Sequence, residues 1–413
     1  MNKLMTTIMA ALFATSTVNA SEADLKKQID ILRVQNEAIE QQLQKLINYT
    51  KNNESSAGAI VGGYGEISYN GYSNNSSRNQ MDLKRFVLSI NKTFNEKLSF
   101  NGEAEWEHAI TSAGDKGEAG IEQAYLNYQV SQSLNLKVGL FLMPFGFLNE
   151  SHEPPVFYGV ERNDVETRII PATWREGGIS LAGTTDSNFD WSVGVVTGFD
   201  VAKFENQSKP LGTIHQELQL AKARDLSYFA TLNYKVPGFI AGVDIFAGKS
   251  VQGDADFIAD PTKPSFAGLS GLITLADVHT RYQQNGWDVQ ALLAKGTVGD
   301  ADQIDQVIQA YNIANAKSLA FVPSEFYGWF VQTAYEFRLS HEATFAPFAR
   351  YEAFNTQSKV PTGFTASAAN TDRVTTAGVS YKPITQVVFK ADYQNYNDNS
   401  ASNRFNLGMG YMF

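Results

Sequence analysis

The chain of 413 residues contains no cysteine. This excludes a disulfide scaffold, a thiolate-ligated zinc or iron–sulfur site and a thiol nucleophile. Basic residues number 33 against 43 acidic ones, and the formal net charge of -10 argues against a nucleic-acid partner. Long apolar runs are also scarce, because the one candidate, Leu4–Val18, is shorter than the roughly 20 residues that cross a bilayer as a helix. If the protein is exported into a membrane, it must therefore span as a closed β-barrel.

Aromatic residues, in contrast, are abundant. The chain has 27 Phe and 18 Tyr, and aromatic side chains make up 12% of the sequence while only 18% is charged. A water-soluble domain does not need so many rings to close its core. The composition therefore suggests that part of them covers a surface that is not exposed to water.

The first twenty residues have the pattern of a secretory signal peptide. Lys3 supplies the positive start, Leu4–Val18 the apolar stretch, and Val18-Asn19-Ala20 a cleavage site of small residues. We expect residues 1–20 to be removed on export, and an uncleaved anchor is the alternative.

Residues 21–52 follow a heptad pattern with apolar side chains at two positions in seven. The predicted coiled-coil core consists of Leu25, Ile29, Leu32, Asn36, Ile39, Leu43 and Leu46. A single helix cannot bury such a seam, so the pattern predicts self-association, with Asn36 fixing register and oligomeric state. Alternatives are an amphipathic helix lying on its own barrel and a segment that tethers the protein to another surface. Residues 53–58 form a polar linker.

From residue 59 to the C-terminus the apolar pattern has a period of two. In the last segment Phe405, Leu407, Met409, Tyr411 and Phe413 alternate with small and polar residues. The same pattern, cut at turn residues, predicts sixteen strands near 60–72, 80–94, 98–111, 120–130, 134–142, 174–185, 189–200, 223–235, 239–250, 270–284, 287–298, 324–338, 342–355, 371–382, 385–397 and 402–413.

Tight and long connections alternate along these strands. An even strand number with every long connection on one side is typical of an outer-membrane barrel. A soluble sandwich, the alternative, has no reason to sort its connections in this way. The sequence therefore predicts an all-β fold, a 16-stranded antiparallel transmembrane β-barrel over residues 59–413 preceded by a periplasmic coiled-coil helix.

The period of two also predicts which charges face the lumen. A basic wall is expected from Arg85, Arg338, Arg350, Lys390 and Arg404, which lie on the last strands and on the second. Most inward acids fall on strands three to eleven. Alternatively, the base and the acid within each of the pairs Arg350/Glu352 and Lys390/Asp392 neutralise each other.

The long connection 143–173 is rich in proline and aromatic residues, which suits a packed loop. We expect it to fold into the barrel and to form a pore constriction from Glu150, Glu153, Glu161, Arg162, Asp164, Glu166 and Arg168. Facing the basic wall, this net acidic loop would set up a transverse field. Alternatively it lies over the rim or contacts a neighbouring subunit.

Other motifs carry little chemistry. No two of the five histidines stand at metal-ligand spacing, so we expect neither metal nor cofactor, and Glu150, His152 and Glu153 are interpreted as a solvated loop. No nucleophile-elbow pattern supports a hydrolase. Helical spacing of Ile304, Val307, Ile308 and Tyr311 predicts a short helix in a long outer loop.

The stretch Gly139–Gly178, with the heptads, the strand number and the terminal Phe413, resembles the phosphate-selective porin O and P family. The resemblance implies a homotrimer in the outer-membrane lipid whose third loop folds inward, and a terminal Phe read by the barrel-assembly machinery. The family's phosphate-selective members carry a ladder of basic residues at the constriction. Here the third loop contains only Arg162 and Arg168, so phosphate is not expected to be the substrate.

The sequence thus predicts a passive porin of the cell outer membrane for small hydrophilic solutes, with anions as one candidate class. An alternative is a carbohydrate-preferring channel, with Phe141, Phe246, Phe326 and Phe330 as a stacking track. An outer-membrane enzyme is the rival from another class.

Overall fold

The structure is a computed structural model that describes residues 58–112 and 114–413. The predicted signal peptide, the coiled-coil segment and residues 53–57 of the linker lie outside the described residues. The expectations for them stay predictions.

Sixteen antiparallel strands form the described part of the chain. Their bounds are β1 Ile60–Tyr72, β2 Gln80–Thr93, β3 Leu98–Glu107, β4 Ala119–Ser131, β5 Leu134–Leu142, β6 Arg175–Thr184, β7 Phe189–Val196, β8 Ser227–Val236, β9 Phe239–Gly248, β10 Ile273–Gln284, β11 Trp287–Val298, β12 Glu325–Tyr335, β13 Thr344–Lys359, β14 Thr371–Ile384, β15 Val387–Tyr396 and β16 Arg404–Met412. After Glu336, β12 continues as a two-residue stretch, Phe337–Arg338, that pairs with β13.

Each strand pairs with its neighbours in the chain, and the first pairs with the last. The closing register places Tyr64 opposite Met412 and Tyr72 opposite Arg404. The sheet therefore has no free edge, and the predicted all-β, 16-stranded antiparallel barrel is confirmed.

The two faces of the wall differ as the alternation predicts. On β16 the apolar Phe405 and Leu407 are 44% and 45% exposed, whereas Asn406 between them is 0% exposed. Outward apolar side chains of this kind recur around the barrel and suit contact with lipid. The buried polar side chains point into the lumen.

Short turns join the strands at one end of the barrel. Asn285-Gly286 is a two-residue turn whose φ angles of 53° and 86° match the type I′ geometry that suits twisted hairpins. One predicted turn shifts slightly, because β14 runs through Pro383-Ile384 and the turn follows at residues 385–386. Tyr64 and Met412, which stand opposite each other in the β1–β16 pairing, also lie at this end.

Long connections at the other end share an apolar core. We call this the loop core; its members from the connections after β7, β9 and β11 are Phe199, Val201, Phe204, Leu211, Ile214, Val251, Phe266, Ala301, Ile304, Ile308 and Val322. Each fully buried side chain of this kind contributes about 1.5–3 kcal/mol. The loop core therefore holds these connections over one side of the barrel mouth.

Short helices lie within the connections. They are α1 Val165–Arg168, α2 Ala255–Ala259 and α3 Ala301–Asn315. The predicted loop helix is confirmed by α3, whose Ile304 and Ile308 are buried in the loop core. None of the helices in the described ranges is both long and apolar enough to cross a bilayer.

Candidate functional site

The connection between β5 and β6, residues 143–173, lies inside the barrel, and we call it the constriction loop. Its main-chain and side-chain groups bond to inward-facing carboxylates on three well-separated strands. These bonds are Gly146 N–H to Asp244 on β9 (3.0 Å), Tyr158 O–H to Asp288 on β11 (2.9 Å) and Val160 N–H to Asp392 on β15 (2.6 Å). The loop therefore crosses the lumen rather than lying on the rim.

Glu166 organises the loop from within. One carboxylate oxygen accepts the N–H groups of Phe147 and Leu148 at 2.5 and 2.8 Å, and the other accepts the amide of Asn163 at 2.6 Å. Gly146 makes the turn beside it with φ of +62°, and a Cβ there would lie 2.4 Å from the Glu166 carboxylate. The sequence needs a glycine at this point for both reasons.

Aromatic packing fixes the base of the loop. The Trp174 ring stacks on Phe199 of the loop core with centroids 5.3 Å apart, and Phe145 contacts the same indole at 5.1 Å. Asn149 bridges the two ends of the loop by accepting from the Trp174 N–H and donating to the Met143 carbonyl. The base of the constriction loop is thus held by packing and by hydrogen bonds.

The first half of the loop lines a cavity of about 480 Å³ that reaches the short turns, where Thr184 and Asp190 border it. Each lysine or arginine in its wall has an acidic partner. The pairs are Lys137–Glu150 at 3.1 Å, Lys235–Asp190 at 2.9 Å and Arg281–Asp288 at 2.6 Å. The fixed charge of this first cavity is therefore locally balanced.

The second half of the loop lines a separate cavity of about 260 Å³ toward the long connections. Its wall contains six bases and three acids: Lys84, Arg85, Arg162, Arg168, Lys209 and Arg404 against Glu66, Glu161 and Asp164. The side chains come from β1, β2, β16, the constriction loop and the connection after β7. We call it the basic cavity.

Three of the six bases are held by acids of the cavity. Lys84 pairs with Glu161 at 2.5 Å, Arg85 with Glu66 at 3.0 Å and Arg168 with Asp164 at 2.5 Å. No carboxylate among the described residues lies within 4.0 Å of Arg162, Lys209 or Arg404. The lining of the basic cavity therefore has three more bases than acids, although Arg85 is also contacted by Glu105 at 3.2 Å and Glu107 at 3.7 Å, which do not line it.

Neutral acceptors hold two of these three cations. Arg404 donates to Gln394 at 2.7 Å and to the Tyr72 hydroxyl at 3.2 Å, and Arg162 donates to the Thr173 hydroxyl at 3.0 Å. Partial removal from water and the charge of Arg168 lower the pKa of Lys209. An anion in the cavity would relieve this mutual repulsion of the bases.

The residues predicted as a basic wall separate into three places. Arg85 and Arg404 line the basic cavity. Arg350 and Lys390 lie beneath the constriction loop, 3% and 6% exposed, where Arg350 pairs with Glu352 at 2.9 Å and Lys390 donates to the Gly159 carbonyl at 2.8 Å. Arg338 is exposed beside a short turn. The geometry brings together two of the five.

The predicted loop charges also have different surroundings. Glu150 is exposed in the first cavity, Glu153 is half-buried and Glu166 is buried inside the loop. Glu161, Arg162, Asp164 and Arg168 all line the basic cavity. Acids and bases are interleaved there, so the structure does not separate an acidic loop from a basic wall as the transverse-field prediction requires.

Two bases of the cavity escape sequence reasoning. Lys84 lies in a β-bulge, where the register passes from Arg85 opposite Glu66 to Leu83 opposite Ile67. An extra residue there places neighbouring bases on the same face, which a strict period of two cannot predict. Lys209 comes from a long connection that has no periodic signal.

The predicted aromatic stacking track is wrong. Phe141, Phe246, Phe326 and Phe330 are at most 2% exposed, because the constriction loop and the loop core cover them. Buried rings have no face left for a sugar.

Possible metal ligands are also placed differently from the sequence expectation. His152 is buried, with Nε2 2.8 Å from a Glu122 carboxylate oxygen and 2.7 Å from the Tyr64 hydroxyl, so it is not part of a solvated loop. Asp244, Asp277 and His279 bring three ligand atoms within 4.8 Å of one another. The sequence analysis missed this set because it depends on strand register.

Comparisons with known proteins agree with the fold. A family model described as phosphate-selective porin O and P matches residues 57–209. An uncharacterized protein of Aquifex aeolicus (strain VF5) is 32% identical over 371 residues, 86% of this chain and 80% of that protein.

Two solved structures share the barrel. Salmonella typhi OmpF in complex with daunomycin has a TM-score of 0.56 and 11% identity, covering 86% of this chain and 97% of its own. The outer-membrane channel DcaP of Acinetobacter baumannii has a TM-score of 0.51 and 14% identity, covering 87% and 99%. At these identities the likeness concerns the fold alone.

Proposed function

The chain belongs to the phosphate-selective porin O and P family, whose fold is that of an outer-membrane channel, and we propose that it is a passive, anion-preferring pore for small hydrophilic solutes. The constriction loop narrows this pore, and the basic cavity is its filter. Family and fold point to a channel rather than to an enzyme.

The observation that carries the proposal is the contrast between the two cavities. Every lysine and arginine in the first is paired with an acid, whereas Arg162, Lys209 and Arg404 in the basic cavity have no carboxylate within 4.0 Å in the described part of the chain. Low-dielectric walls focus the field of fixed charges into a narrow passage. An anion entering the basic cavity is therefore stabilised and a cation is repelled.

The position of the loop core supports a solute path through the basic cavity. It fills the barrel mouth beside β7 to β12 with apolar side chains, and ions do not cross packed hydrocarbon. The polar side of the barrel mouth lies along β1, β2 and β16, whose side chains line the basic cavity. Solutes that enter from outside thus pass Arg162, Lys209 and Arg404, the bases without a carboxylate partner.

Reversal potentials in a planar bilayer test the proposal. With a potassium chloride gradient across purified protein, we expect chloride to carry most of the current, and increasing phosphate on one side to reduce it. A cation-selective pore would contradict the proposal. Block by oligosaccharides would favour the carbohydrate channel, for which the buried phenylalanines give no support.

We further propose that the protein is a homotrimer with its N-terminal segment in the periplasm. The family resemblance and the heptads of residues 21–52 support this, as does the position of β1 and β16 ends beside the short turns. Native mass spectrometry of a chain lacking residues 21–52 tests the role of the segment. A variant that assembles as the full chain does would refute it.

A further inference from the structure

Two carboxylates and an imidazole meet in the barrel wall beneath the constriction loop. Asp244 on β9 stands directly opposite Asp277 on β10, and His279 follows on the same face of β10. These side chains are 1%, 1% and 7% exposed, and one ligand atom of each lies within 4.8 Å of the others. The cross-strand pairing thus builds a buried three-ligand set, and its His279 borders the first cavity.

The two carboxylates are incompletely satisfied. Asp244 Oδ1 and Asp277 Oδ2 are buried and have no hydrogen-bond partner within the described ranges. No lysine or arginine there lies within 4.0 Å of either group. Two adjacent buried charges without compensation cost several kcal/mol each, so the pair needs either a cation between the carboxylates or a shared proton.

His279 is oriented as a ligand. Its Nε2 lies 2.8 Å from the amide oxygen of Asn233, an acceptor that suits a proton on this nitrogen. In that tautomer the lone pair of Nδ1 faces the carboxylates, 2.7 Å from Asp277 Oδ1 and 3.7 Å from Asp244 Oδ2, and a cation between them replaces the proton that a hydrogen bond would need. Metal-bound histidines are commonly held by such an oxygen acceptor behind the ring.

We propose that Asp244, Asp277 and His279 bind one divalent cation, and that Zn²⁺ suits this set best. Zinc accepts imidazole nitrogen and carboxylate oxygen at about 2.0–2.2 Å, which places tetrahedral ligands about 3.4 Å apart. The two nitrogen–oxygen distances, 2.7 and 3.7 Å, bracket this value. Two carboxylates with one divalent ion also leave the buried site neutral.

The ion would fasten the first residues of the constriction loop. Gly146 N–H donates to Asp244 Oδ2 at 3.0 Å, and the Phe147 and His279 rings meet edge to face with centroids 5.0 Å apart. Without the cation or a shared proton, repulsion between the carboxylates would push apart the surface that holds these residues. The site therefore controls the rigidity of the loop and is distinct from the basic cavity.

Zinc uptake by the full-length protein in detergent is the test. Protein stripped with a chelator receives Zn²⁺ alone, is desalted, and is measured by elemental mass spectrometry, with folding checked by heat-modifiable gel mobility. We expect one zinc per chain, and at least tenfold weaker binding in Asp277→Asn and His279→Gln. Chelation of the wild type should also increase current noise without changing the reversal potential.

The matched control is His108→Gln. His108 Nδ1 lies 2.8 Å from Asp82, but residues 58–112 and 114–413 supply no third ligand to this pair. Its loss should leave zinc uptake unchanged. The proposal is overturned if wild-type protein binds no more zinc than the Asp244→Asn/Asp277→Asn double variant, because the carboxylates then share a proton, or if His108→Gln lowers uptake equally.

Discussion

Neutralising Arg404 should reduce anion selectivity by an amount that the size of the basic cavity determines. A sphere of 260 Å³ has a radius of about 4 Å, so a guanidinium in its wall lies about 6 Å from an ion at the centre. In water the interaction is then about 0.7 kcal/mol, and screening at 0.1 M salt reduces it to about 0.4 kcal/mol. An anion loses this stabilisation and a cation gains it.

For Arg404→Gln we therefore expect the chloride-to-potassium permeability ratio to fall about fourfold at 0.1 M salt. Arg162→Gln and Lys209→Gln should act in the same direction, and the effect should shrink at 1 M salt because the Debye length falls to about 3 Å. Glu161→Gln should shift the ratio the opposite way, because it frees the Lys84 charge. Reversal potentials in planar bilayers measure all four.

Arg373→Gln is the matched control for this series. It removes the same charge from an exposed pair with Asp398, 2.9 Å long, which does not line the basic cavity. Its selectivity should equal that of the wild type. If the cavity variants shift the reversal potential no further than Arg373→Gln does, ions do not pass the basic cavity and the reasoning fails.

Three further predictions concern the loops and one strand. Glu166→Ala removes three hydrogen bonds to a carboxylate and should lower the free energy of local opening of the constriction loop by about 3 kcal/mol. We expect more current noise and faster amide exchange in residues 143–173. Unchanged exchange would contradict this role of Glu166. Burial raises the pKa of Asp305 to about 7, above its unfolded value, so the packing of α3 should be strongest below pH 4, weaken between pH 4 and 7 and stay level above pH 7. Asp305→Asn keeps the hydrogen bond from Val322 N–H and should remove this pH dependence. Amide exchange of α3 measured from pH 4 to 8 tests both expectations. Gly139→Ala should lower the thermal stability of the barrel, because φ is +138° and a Cβ would lie 2.4 Å from the Ala124 carbonyl; an unchanged melting temperature would refute the argument.

Most of the fold follows from local pattern. The predicted strands 60–72, 134–142 and 287–298 agree with the structure end to end, since alternation and turn residues act over a few positions. The inward orientation of the Asn406 side chain follows from the same alternation. The even strand number is also what antiparallel pairing of the first strand with the last requires.

The candidate site depends on contacts that no local pattern encodes. The bulge at Lys84 changes the face of one base, and Lys209 reaches the cavity from a connection without periodicity. The opposition of Asp244 and Asp277 is a matter of register between two strands. Arg350 is neutralised by Glu352, and the constriction loop covers both, so Arg350 is not available to a solute. Sequence therefore identifies the charged residues of the lumen, and tertiary contact decides which remain unpaired.

The position of the constriction loop has a consequence for assembly. Glu161 accepts from Asn70 on β1, while Gly159 and Val160 bond to Lys390 and Asp392 on β15. These contacts bridge the seam where the two ends of the barrel sequence meet, more than 300 residues apart, and joining such distant ends costs on the order of 5 kcal/mol in chain entropy. The contacts of the loop offset part of this cost in the closed barrel. The segment that narrows the pore therefore also stabilises the junction between the first and last strands, so loosening the loop should weaken closure of the barrel as well as widen the pore.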